Sequence, residues 1–160
     1  MTLGPRALPA ARVTIACLLL GGCGLVGPSN DDRSDLERAM GRWAASGNES
    51  YTYTLRRLCY CLPETIGPYE VRVVAGTPAA VVRPEDGEPI DPEYAHLFPG
   101  VDGLFEIIDE ALREGADRLD VEYDPTTGTP VRIDIDYIEA AADDEILYES
   151  TIPEPFQPPA

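Results

Sequence analysis

Leu36, Met40, Trp43 and Ala44 recur at the spacing of one helical face. Ser34 and Glu37 stand at the start of this stripe in the arrangement of a capping box, and Gly47 supplies a stop. The pattern predicts a first helix over about 35–46. From Ser50 the period falls to two. Tyr51, Tyr53, Leu55, Arg57, Cys59 and Cys61 share one side of a strand, and Thr52, Thr54, Arg56, Leu58 and Tyr60 share the other. Pro63 ends it. Tyr69, Val71 and Val73 begin a second strand, Ala75-Gly76-Thr77-Pro78 turns it, and residues 79–82 return. A proline- and acid-rich loop then runs from Pro84 to about Gly100. Asp102 is placed to cap a second helix with an apolar stripe of Leu104, Phe105, Ile108, Ala111 and Leu112, closed by Arg113 and Gly115.

Three more strands follow. Leu119, Val121 and Tyr123 alternate with Asp120, Glu122 and Asp124. After a turn over 125–130, Val131, Ile133, Ile135 and Tyr137 alternate with Arg132, Asp134 and Asp136, and residues 146–152 form the last strand. The proline-rich residues 153–160 are predicted to be a disordered tail. The order α-β-β-β-α-β-β-β places the chain in the α+β class, with antiparallel sheet, polar outer faces and helices packed on the other face. Each half reads as a helix followed by a three-strand meander.

The first 23 residues differ in kind. Arg6 and Arg12 precede an apolar run, Val13-Thr-Ile-Ala-Cys-Leu-Leu-Leu20, which is 8 residues long. A spanning helix needs about 20, so the pattern predicts an export signal rather than a membrane span. Leu20-Gly21-Gly22-Cys23 resembles the bacterial lipobox. That resemblance implies cleavage between Gly22 and Cys23, diacylglycerol on the Cys23 sulfur and acylation of the new amine. The organisation expected is a signal peptide over 1–22, a lipid-anchored tether over 23–33, one domain over 34–152 and the tail.

Charge narrows the partners. The chain holds 12 basic residues, all arginine, against 29 acidic ones, a net −17. Loss of the leader removes two arginines and leaves −19. Nucleic acid, whose phosphates need cationic neutralisation, is excluded as a partner by this balance. Adsorption to anionic lipid is disfavoured for the same reason. The absence of lysine removes Schiff-base and phosphate-loop chemistry.

Order and motif together resemble a family of bacterial lipoproteins known mainly as a domain of unknown function. The resemblance runs from Trp43 and Tyr51-x-Tyr53 through Cys59-Tyr60-Cys61, Val71-x-Val73 before Gly76, and Leu104-Phe105. It continues with Val121-x-Tyr123-Asp124-Pro125, Gly128-x-Pro130, Ile133-Asp134-Ile135-Asp136 and Asp143-Asp144-Glu145. It implies a membrane-anchored, extracytoplasmic protein and brings no activity, cofactor or catalytic residue.

The remaining chemistry is sparse. Outside the cytoplasm the nearby thiols of Cys59 and Cys61 tend to oxidise. On a regular strand residues i and i+2 lie about 6.6 Å apart, the upper edge of disulfide reach. A Cys59–Cys61 bridge therefore needs a local kink, which the approach to Pro63 supplies. A redox-active pair is the alternative use. Zinc wants four ligands, and His96 is the only histidine. Asp120, Glu122 and Asp124, with Asp134 and Asp136 on the partner strand, form an acidic stripe suited to a hard cation such as calcium, or to a solvated face. There is no Gly-x-Ser-x-Gly elbow, His-Glu-x-x-His motif or phosphate loop. The expectation is a non-enzymatic, lipid-anchored envelope module without cofactor. Its expected partners are the membrane, through Cys23, and an envelope protein or polymer. The alternatives are calcium binding by the stripe and thiol-disulfide exchange at Cys59 and Cys61.

Overall fold

The computed structural model describes residues 29–138, 140–141 and 143–156. The leader, Cys23, residues 24–28 and residues 157–160 lie outside the described residues.

Helix α1 is Asn30–Ser46. It starts a turn earlier than the Ser34 reading, because a second capping box lies upstream. The Ser29 hydroxyl accepts from the Asp31 and Asp32 backbone N–H, and the Asp32 carboxylate accepts from the Ser29 N–H at 2.6 Å. Ser34 sits inside the helix and donates to the Asn30 carbonyl oxygen at 3.0 Å. Residues 30–33, read as tether, are thus helical. Gly47 ends the helix at φ 66°.

Strand β1, Tyr51–Cys59, pairs antiparallel with β2, Tyr69–Val74, which pairs with β3, Thr77–Val82. Ala75 and Gly76, both with positive φ, make the two-residue β2–β3 turn. Helix α2 is Val101–Glu114. Then come β4 Arg118–Tyr123, β5 Pro130–Asp136, β6 Glu145–Ser150 and the short β7 Glu154–Pro155. Among the described residues the fold is α+β: two α-helices and an antiparallel sheet of seven strands, ordered β3-β2-β1-β6-β5-β4 with β7 also on β1. β1 and β6 join two three-strand meanders at the centre. β7 lies in the segment read as a disordered tail. Its two residues continue the β6 side of β1, opposite Tyr51 and Thr52, and the Phe156 N–H donates to the Ser50 carbonyl at 3.2 Å.

The alternation sorts one side of the sheet into the core. Tyr51, Tyr53 and Leu55 of β1, Tyr69, Val71 and Val73 of β2, and Ile133 and Ile135 of β5 are buried with Leu36, Ala39 and Trp43 of α1 and Leu104, Phe105, Ile108 and Ala111 of α2. Fully burying such an aliphatic side chain contributes about 1.5–3 kcal/mol.

Two clamps tie helices to sheet, the first polar and the second a close backbone approach. Helix α2 begins after Gly100 with no side-chain cap of its own. Instead the Val101 N–H donates to the Tyr51 hydroxyl at 2.8 Å, and the Tyr53 hydroxyl donates to the Pro99 carbonyl. Asp102, read as the cap, lies in the first turn and accepts from Trp43 Nε1 at 3.1 Å. Trp43 meets Tyr51 edge-on at 5.2 Å between centroids. The second clamp is the β4–β5 turn. Asp124 Oδ1 accepts from the Thr126 and Thr127 N–H and the Thr127 hydroxyl. Gly128, at φ 79°, lies so close to α1 that a Cβ there would overlap the Ala39 carbonyl oxygen.

Candidate functional site

The strand β1 leaves the sheet at Cys59, its last residue paired with β6. The turn beyond it is held by hydrogen bonds from Thr65 N–H to the Leu62 carbonyl at 2.8 Å and from Arg57 N–H to the Ile66 carbonyl at 2.7 Å. Cys59 and Cys61 form a disulfide with Cα atoms 5.3 Å apart. This is shorter than the regular-strand spacing, so the bend that the pairing required is present. The cystine holds Tyr60 outward, 88% exposed, with Leu62 also exposed. Beside it on the outer sheet face is a recess of about 350 Å³ between Leu58, Tyr60, Arg118, Asp134 and Leu147.

The five carboxylates of the stripe do different work. Asp134 receives Arg132 at 2.8 Å and Arg118 at 3.2 Å. Asp124 serves the turn, and its three donors hold its carboxyl below the usual carboxylate range, the Thr127 N–H contributing most. Asp120 and Glu122 are exposed on the edge strand. There their charges discourage pairing with a second edge. Asp136 is 5% exposed, and its Oδ1, like both carboxylate oxygens of Asp144, has no hydrogen-bond partner among the described residues. Among the described residues, no group of three or more His, Cys, Asp or Glu is placed to hold a metal ion. His96 is exposed in a 3-10 turn, Ala95–Leu97.

Sequence pattern alone passed over two features. Arg57 occupies an apolar position of β1 and is 8% exposed. Its guanidinium lies 5.9 Å from the ring centroids of both Phe98 and Tyr148, and Nη1 donates to the Thr65 carbonyl at 3.2 Å. Burial pushes the Tyr148 phenol up, and nearby Arg57 opposes that shift. The signal was a cation in the parity of β1 that Tyr51, Tyr53 and Leu55 otherwise make apolar.

The other feature is a groove of about 700 Å³ between the helices. Arg33 pairs with Asp109 at 2.8 Å near one end, and Trp43 meets Asp102 near the other, so α1 and α2 run antiparallel. Arg113 also reaches Asp109, at 3.2 Å. Hydrogen bonds from Arg33, then Arg113, hold the Asp109 carboxyl below its ordinary range. No described helix is long and apolar enough to cross a membrane.

The model of a family of unknown function, DUF6174, matches residues 35–152. No curated protein and no solved structure matches the chain.

Proposed function

The chain belongs to this family of unknown function, and from that premise we propose that it is a lipid-anchored extracytoplasmic protein, a non-enzymatic binding module of the bacterial cell envelope. The observation that carries the reading is Leu20-Gly21-Gly22-Cys23 at the end of a short apolar run with only arginines before it. The Cys59–Cys61 disulfide supports it, because such bonds persist in oxidising compartments. The strong negative charge supports it too, since a domain repelled by anionic lipid needs a covalent attachment to remain at the membrane.

The test is fractionation of cells expressing the chain and Cys23→Ser. The wild type partitions with membranes and carries the mass of its lipid, and the variant loses both. A Cys23→Ser protein of unchanged mass still in the membrane fraction would end the reading.

A second reading, thiol-disulfide exchange, is favoured by one observation. The cystine closes across a single residue whose side chain stands in solvent. A thiol count on the native protein decides it: full oxidation together with no reduction of insulin disulfides rejects exchange. Calcium at the acidic hairpin has less support, because Asp134 and Asp124 already have partners.

A further inference from the structure

The −17 charge is compensated unevenly. On the outer sheet face arginine and acid alternate across the strands. Arg56 lies opposite Glu149, Glu149 opposite Arg132, and Arg132 opposite Glu122. The groove between α1 and α2 is arranged differently. Its two arginines, Arg33 and Arg113, both engage Asp109. Glu37 of α1 and Glu106 and Glu110 of α2 line the same groove, are exposed, and have no cationic partner among the described residues. Glu106 and Glu110 are also four apart on one helix, where like charges repel. Among them stands Met40, 46% exposed, a large apolar side chain that α1 does not bury. Flexible thioether side chains adapt to varied partners.

We propose that this groove is a docking site for a cationic, amphipathic segment of a partner protein. Lys or Arg side chains of the partner face Glu37, Glu106 and Glu110, and an apolar side chain covers Met40. Charge complementarity selects this occupant. Anionic lipid and nucleic acid meet the wrong sign, and a second copy of this acidic chain would bring more of it. The proposal goes beyond the envelope reading and does not depend on the anchor.

The probe is a fluorescein-labelled synthetic helical peptide of leucine and lysine with one apolar face, titrated by anisotropy into the purified full chain in neutral detergent. Saturable binding is expected. Glu37→Gln/Glu106→Gln/Glu110→Gln is expected to weaken it by about tenfold, the sum of three exposed charge pairs. Met40→Ala weakens it further. The control Glu85→Gln/Glu88→Gln/Glu93→Gln removes equal charge from the long loop and leaves affinity within about twofold, as screened distant charges should. Circular dichroism confirms that each variant remains folded. Equal weakening by the two triple variants reduces the binding to general charge attraction and overturns the proposal, as does absence of saturation.

Discussion

The two faces of the sheet are made by the same strands and are held in different ways. On one face Leu55, Val71, Val73, Ile133 and Ile135 are sealed from solvent in one core cluster with residues of α1 and α2. Polar groups there include the Tyr51 hydroxyl, which accepts from the first N–H of α2. On the other face, side chains remain partly solvated and charges of opposite sign sit across from one another. Burial therefore fixes the register, since a slip of one residue would exchange the faces. The charged face adds solubility and little energy, because exposed ion pairs are weak. On the helix side, Glu37, Glu106 and Glu110 in the groove have no cationic partner among the described residues.

The widest gap between the faces is expected from truncation. Leu55→Ala should lower unfolding free energy by about 3 kcal/mol, the range for a fully buried leucine. Arg56→Ala, its exposed neighbour, should change it by less than about 0.5 kcal/mol. Urea denaturation of both variants checks this, and similar losses would mean that the faces are not energetically distinct.

Gly128→Ala is the next largest. The residue is in the left-handed region, and the added methyl would overlap the Ala39 carbonyl of α1. A loss of about 2 kcal/mol is expected from the backbone conformation and the displaced helix. A calorimetric midpoint unchanged from wild type would show that α1 does not rest on this turn.

Much of this division was legible in the chain. Period-two alternation sorted β1 and β5 into two sides, one of which proves to be the buried one, and residue spacing anticipated the bend at Cys59 and Cys61. Three things were hidden, each for a physical reason. Two capping boxes compete at the start of α1, and the upstream Ser29–Asp32 box is the one formed. β7 contains proline and has two residues, so only its tertiary pairing with β1 defines it. The groove depends on how two helices lie against each other, which no local pattern records. The acidic stripe reads as a unit because alternation places its residues on one face. Their separate roles emerge only when Arg118 and Arg132 are located.

Tyr51 offers a pH test of the buried face. Burial pushes its phenol up to about 12, the Val101 N–H opposing and Asp102 adding to the rise. The unfolded chain ionises near pH 10. Stability from the neutral phenol is therefore complete below about pH 10 and declines as pH rises through the folded value. Tyr51→Phe removes the bond to Val101 and should cost about 1 kcal/mol at neutral pH. The gap to wild type should narrow above about pH 10, because phenylalanine has no proton to lose. A gap independent of pH, in urea midpoints measured across this range, would remove the phenol from the alkaline transition.

The smallest effect belongs to the outer face. Arg132 Nη1 lies 3.7 Å from Glu149 Oε1, and Arg56 Nη1 lies 3.6 Å from Glu149 Oε2. Glu149 is thus the shared anion of a cross-strand row. A double-mutant cycle on Arg132→Ala and Glu149→Ala isolates their coupling, expected to be about 0.2–1 kcal/mol at low salt. In 1 M salt, where the screening length is about 3 Å, it should nearly vanish. The Leu55→Ala cost, arising from lost packing, should survive the same salt, so ionic strength separates the two faces in one series. A coupling that persisted in salt would place this pair with the buried interactions and erase the distinction between the faces.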